Sequence, residues 1–115
     1  MSTPSLDGRR FRDVSPARTG DVGADTVFEY HEEADGTVWA RYAGGAVRLG
    51  FLVGRRSGDT LEFRYAHLTP AASTATGHCT SIIAPLADGR LRLVETWSWD
   101  SRSGSGTSVL EEAPS

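Results

Sequence analysis

Glycine and turn residues divide the chain into short segments, and this division constrains the fold more than any other feature. The 115 residues include 13 glycines, and no long segment repeats its apolar residues with the 3.6-residue period of a helix. The segments between the turns are rich in β-branched and aromatic residues, which are typical of strands. The sequence therefore predicts an all-β protein.

Eight strand-like segments can be delimited. The turns between them carry Asp-Gly, Gly-Gly, Ser-Gly-Asp or Pro. The Asp-Gly pairs at 35–36 and 88–89 predict tight hairpin turns with a positive φ at both central residues. The predicted strands are residues 9–14, 26–32, 37–42, 46–55, 60–68, 75–83, 90–99 and 107–112.

Short strands joined by local turns form an up-and-down antiparallel sheet. An open sheet of this kind would expose two edges and one apolar face, and closure into a barrel removes both problems. We therefore predict a small eight-stranded antiparallel up-and-down barrel, with a two-sheet sandwich as the alternative. The length predicts a single domain over residues 1–115, with an ordered core at about 8–112 and frayed ends.

Side chains alternate between the two faces of a strand, so the sequence also predicts which residues share a face. In the third and sixth predicted strands both faces carry apolar or aromatic residues, and the inward face stays open. In the fourth, Val47, Leu49, Phe51 and Val53 share one face. Phe28 and Tyr30 are expected to point inward. The two longest predicted inward sets are Leu61, Phe63, Tyr65 and His67, and Leu91, Leu93, Glu95, Trp97 and Trp99.

These inward sets change from hydrocarbon to aromatic and polar side chains along the strands. Aromatic walls with a few convergent polar groups are typical of a small-molecule pocket. We therefore expect a small apolar or aromatic molecule as partner. The candidate ligand-binding residues are Tyr30, Tyr42, Tyr65, His67, Glu95, Trp97 and Trp99.

Glu95 has two interpretations, because it lies mid-strand between apolar neighbours on its own face. It is either a ligand acceptor or general acid/base with a raised pKa, or a buried carboxylate held by an Arg or Tyr partner. In the catalytic interpretation, His67 or Tyr65 would complete a proton-transfer set. Trp97 and Trp99 likewise either stack on a ligand or cap the barrel.

Several chemistries are excluded or unsupported by composition. Without lysine, the chain cannot form a Schiff base, and with Cys79 alone it cannot form an internal disulfide or a Cys-rich zinc site; we expect Cys79 to be a core residue. The three histidines are far apart, so neither a metal site nor a cofactor is predicted. The net charge of −3 indicates no nucleic-acid partner. No membrane-spanning or signal-peptide run is present, which predicts a cytoplasmic protein.

Four segments resemble a known family: WARYAGG (39–45), RYAH (64–67), GHCTS (77–81) and the more specific DGRLRLVETWSW (88–99). They are similar to small bacterial proteins that are described as avidin-like barrels and are often labelled N-acetylglutamate synthase. The likeness extends over residues 8–112 or so. It implies an avidin/calycin-like barrel and assigns no role to any residue, since fold alone does not define a ligand.

The leading functional hypothesis is a non-catalytic, small-molecule-binding barrel. The alternatives are a barrel cyclase or isomerase that uses Glu95 with His67 or Tyr65, and a protein-interaction module; a homo-oligomer is compatible with the sequence. N-acetylglutamate synthase activity is not expected. Acetyltransferases of that kind bind acetyl-CoA with a pyrophosphate loop that opens a helix, and the sequence predicts neither.

Overall fold

Every regular element of the computed structural model is a β-strand, in the residues that the structure describes, 4–15 and 21–114. The all-β prediction is confirmed, and each predicted strand is present with bounds that differ by a few residues at most. The strands are β1 (Arg10–Asp13), β2 (Val27–Glu32), β3 (Thr37–Gly44), β4 (Val47–Ser57), β5 (Thr60–Leu68), β6 (Thr74–Pro85), β7 (Leu91–Trp99) and β8 (Ser105–Glu112).

The eight strands form a closed barrel in which each strand pairs with its neighbours in the sequence. All pairs are antiparallel, and β1 closes the ring by pairing with β8, with Phe11 opposite Glu112 and Asp13 opposite Leu110. A salt bridge of 2.7 Å between Arg9 and Glu112 lies beside this seam. The closed ring confirms the predicted barrel and excludes the alternative two-sheet sandwich.

The two Asp-Gly turns differ in detail from the prediction. Only the glycines have a positive φ, 88° at Gly36 and 89° at Gly89; the aspartates before them do not. The Gly36 amide donates to the Glu33 carbonyl at 3.1 Å, and the Asp35 carboxylate accepts the Thr37 amide at 2.9 Å. In each turn the glycine with the positive φ therefore follows the two central residues. The prediction of a positive φ at both central residues is wrong.

A bulge in β4 changes which of its residues face inward. Tyr42 lies opposite Gly50 and Gly44 opposite Val47, so β4 carries one more residue than β3 between these pairs. Arg48 and Leu49 are consequently both exposed, and the alternation shifts by one residue. The prediction that Val47, Leu49, Phe51 and Val53 share a face is wrong: Val47 is buried, and the other three side chains lie on the outer surface.

The structure assigns the inward faces of β3 and β6, which the sequence left open. Val38, Ala40 and Tyr42 of β3 point inward while Trp39 is on the outside, and Cys79 and Ser81 of β6 point inward. Phe28 and Tyr30 are buried as predicted. Leu6, which precedes the predicted ordered core, is also fully buried, and its amide donates to the Glu32 carboxylate at 2.9 Å; this residue is therefore not frayed.

The described residues contain no helix long and apolar enough to cross a membrane. In the same part of the chain, no three His, Cys, Asp or Glu side chains come together as a metal site would require.

Candidate ligand-binding site

A pocket opens at the end of the barrel where β5 and β7 finish. The cavity has a volume of about 50 Å³ and opens to solvent at the mouth. Its lining is mainly apolar. The lining residues are Asp21, Val22, Phe28, Tyr42, Leu52, Phe63, Tyr65, His67, Cys79, Glu95, Trp97, Trp99 and Ser108.

Strand register brings distant inward residues together at this mouth. Gly77 of β6 lies opposite Tyr65 on one side and Trp99 on the other. A Cβ atom at Gly77 would come within 2.3 Å of the Tyr65 hydroxyl, so glycine is what allows the phenol ring to cross the strand. Gly50 of β4 gives the same room to the ring of Tyr42. Inward glycines thus provide the space for the aromatic walls.

Glu95 lies at the floor of the pocket and is 6% exposed. Ser81 donates a hydrogen bond to its Oε2 at 3.1 Å, and Ser108 donates to its Oε1 at 3.2 Å. Burial inside the barrel was correctly predicted. An Arg or Tyr partner was wrongly predicted, because the register of β6, β7 and β8 places serines on both sides of Glu95.

The environment of Glu95 favours its neutral form. Burial raises its pKa to about 7; the two serine hydroxyls oppose this shift, and the nearby Asp13 carboxyl adds to it. Glu95 is therefore able to exchange a proton near neutral pH.

His67 is the centre of a hydrogen-bonded chain at the side of the pocket. Its Nδ1 is 2.9 Å from the Tyr42 hydroxyl, and its Nε2 is 2.9 Å from Oδ2 of Asp21. Asp21 also accepts a hydrogen bond of 2.5 Å from Arg102. Burial alone would raise the pKa of Asp21, but the hydrogen bonds from His67 and Arg102 outweigh it and hold this pKa below its usual value.

Trp97 and Trp99 form one wall of the mouth and are half-buried. Their rings meet edge to face with centroids 5.5 Å apart. The guanidinium carbon of Arg102 lies 3.9 Å from the Trp99 ring centroid, in a cation–π contact. The indoles therefore line an open pocket rather than sealing it.

The predicted candidate residues divide into two groups. Tyr42, Tyr65, His67, Glu95, Trp97 and Trp99 all line the pocket. Tyr30 does not, because it is fully buried in the core. Its hydroxyl has no hydrogen-bond partner among the described residues, and burial, with Glu95 nearby, raises its pKa far above the usual range.

Sequence reasoning missed Asp21, Ser81 and Ser108. Asp21 precedes β2 in a loop, where nothing in the sequence indicates that it reaches His67. The serines occupy inward positions of predicted strands, and a hydroxyl at such a position is the signal that would have found them, because a buried hydroxyl requires a partner. Cys79 lines the pocket wall, and its burial raises the pKa of the thiol far above the usual range.

The closed up-and-down barrel with an aromatic pocket at one mouth places the chain in the class of small β-barrels whose interior is filled by side chains or holds one small ligand. Within this class, the model of the avidin-like protein family matches residues 4–113. The chain belongs to the avidin-like family, whose members generally bind small ligands rather than catalyse reactions and often form oligomers. No curated protein and no solved structure matched the chain.

Proposed function

We propose that this protein is a non-catalytic binding protein that holds one small, partly apolar molecule in the pocket at the barrel mouth. The observation that carries the proposal is a pocket with six aromatic side chains in its lining and one buried carboxyl at its floor. Aromatic rings supply apolar contact area, and a few fixed polar groups orient a ligand. The generally ligand-binding character of the family supports the same function.

Tryptophan fluorescence tests this proposal. Native mass spectrometry of the protein purified from its own host supplies ligand candidates by mass, and titration with each candidate should shift or quench the emission. Trp97→Phe and Trp99→Phe should weaken binding by about tenfold, because each removes part of the aromatic wall. Trp39→Phe is the matched control, since Trp39 lies on the outer face of β3. Binding that is unchanged in both pocket variants would contradict the proposal.

The proposal includes the absence of N-acetylglutamate synthase activity. An assay of acetyl transfer from acetyl-CoA to glutamate is expected to show no turnover above background. Turnover by the purified chain at an enzyme-like rate would refute this part of the proposal.

A proton-transfer enzyme, such as a cyclase or isomerase, is the second candidate, and the pKa of about 7 at Glu95 favours it. Tyr65 and His67 line the same pocket. A reaction of this kind would lose nearly all turnover in Glu95→Gln. A ligand recovered unchanged after prolonged incubation with the wild-type protein supports binding without catalysis instead.

We also propose that a second copy of the chain binds to an apolar stripe on the outer face of β4. The stripe consists of Leu49, Phe51 and Val53, which are 37%, 48% and 59% exposed. Exposed apolar patches of this kind mark association surfaces, and the family often forms oligomers. Sedimentation should therefore give a mass above that of the monomer, and Phe51→Ser should shift it toward the monomer. A wild-type monomer at high concentration would contradict this assignment.

A further inference from the structure

The carboxyl group at the mouth of the pocket and the carboxyl group at its floor have different kinds of partner. At the mouth, Asp21 contacts both Arg102 and His67. At the floor, the partners of Glu95 are the neutral hydroxyls of Ser81 and Ser108. No Arg or His side chain contacts Glu95 among the described residues, and the charged side chain that adds to the rise of the Glu95 pKa is a second carboxyl, Asp13. The floor therefore lacks a positive charge.

The walls of the pocket suit a cation. The face of an aromatic ring is electrostatically negative and attracts ammonium or guanidinium groups. Arg102 makes such a contact with one face of the Trp99 ring. The other aromatic rings of the lining are those of Phe28, Tyr42, Phe63, Tyr65 and Trp97.

From this arrangement we infer that the ligand is a small organic cation, an ammonium or amidinium group on an apolar body, whose charged end pairs with Glu95. This inference rests on the proposed ligand-binding function and specifies its chemistry. The cation would complete a buried ion pair in which the serine hydroxyls satisfy the remaining lone pairs of the carboxylate. An anionic ligand would instead bring a third carboxylate-like charge toward Glu95 and Asp13.

Cation binding at Glu95 is coupled to protons. The ionised form of Glu95 binds the cation, so the affinity should rise as the pH increases from 6 to 8. Other groups in this part of the barrel titrate or carry charge as well, and the pH profile must be compared with that of a Glu95 variant. These groups are Asp13, Asp21, Tyr30, Tyr42, Tyr65, His67, Cys79 and Arg102.

Three probes of nearly equal shape test the inference: benzylammonium, benzyl alcohol and benzoate, each titrated into the full chain at pH 8 and followed by tryptophan fluorescence. Benzylammonium should bind about tenfold more tightly than benzyl alcohol, since the ammonium forms an ion pair with ionised Glu95 and the alcohol donates only a neutral hydroxyl to it. Benzoate should bind most weakly. The Glu95→Gln variant should bind benzylammonium no better than benzyl alcohol. Glu62→Gln, an exposed change on the outer face of β5, should keep the preference.

The outcomes separate this inference from the proposed function. Benzyl alcohol or benzoate binding as tightly as benzylammonium would overturn the cation inference and leave the pocket as a ligand site. A pocket whose indole emission responds to none of the three probes would count against both. If Glu95→Gln does not fold, the pH dependence of benzylammonium binding to the wild-type protein tests the inference. An affinity that does not rise between pH 6 and 8 would overturn it.

Discussion

At the scale of single residues, the protein keeps an ionisable carboxyl where water is largely excluded. Burying a carboxylate is costly unless it is paired with a cation. Glu95 avoids most of this cost by holding its proton up to a pH of about 7 and by accepting hydrogen bonds from two serine hydroxyls. Glu95 thus stays compatible with folding while it lines the pocket.

This arrangement predicts how stability depends on pH. The pKa of Glu95 is about 7 in the folded state and 4.5 when unperturbed, so the folded state binds the proton more tightly. The free energy of unfolding should therefore fall by about 3 kcal/mol between pH 4.5 and 7 on account of Glu95. Urea denaturation at pH 5, 6, 7 and 8 measures this fall, and Glu95→Gln should remove it. Parallel profiles for the two proteins would show that Glu95 is not perturbed.

At the scale of the strands, inward glycines decide where the large rings fit. A Cβ atom at Gly50 would lie 2.4 Å from the ring of Tyr42 and 2.8 Å from the Cβ atom of His67. Such distances are too short for any side chain, so the Tyr42 ring fits against β4 only because residue 50 is glycine. In this position the Tyr42 hydroxyl makes its hydrogen bond with His67.

Gly50→Ala should therefore displace the Tyr42 ring and weaken its hydrogen bond to His67. We expect a loss of about 1–3 kcal/mol in the free energy of unfolding, as for other overpacked cores, together with weaker ligand binding. Arg48→Ala, an exposed change on the same strand, serves as the control and should change stability by less than about 0.5 kcal/mol. A Gly50→Ala protein as stable as the control would contradict the packing described for Tyr42.

The strands themselves were predictable from the sequence, because turn residues mark their ends locally. The inward faces of β3 and β6 were not, since both faces of each carry residues that pack well in a sheet. The face of β4 was mispredicted because its bulge depends on pairing with β3, which no local pattern reveals. The serine partners of Glu95 depend in the same way on the registers of three strands.

At the scale of the whole molecule, β1 is held on both sides by short ladders. It pairs with β2 from Arg10 to Arg12 and with β8 from Phe11 to Asp13, whereas β5 pairs with β6 from Thr60 to Leu68. Because these two ladders are short, the ring should open first at β1.

Amide hydrogen exchange should reveal this difference. The amides of β1 are expected to exchange faster than those of β5 and β6 under native conditions, because opening the two short ladders of β1 exposes this strand without unfolding the rest. Arg9→Ala should increase exchange at β1 further by removing the ion pair with Glu112. Equal protection of β1 and β5 would indicate that the barrel opens only by global unfolding.

The three indole N–H signals test most directly the proposed binding of a small molecule at the barrel mouth walled by Trp97 and Trp99. In a fragment screen followed by two-dimensional NMR of the protein labelled with ¹⁵N, fragments that bind should move the signals of Trp97 and Trp99. The signal of Trp39, on the outer face of β3, should stay in place. Fragments that move only Trp39, or a broad library that moves none of the three, would contradict the claim.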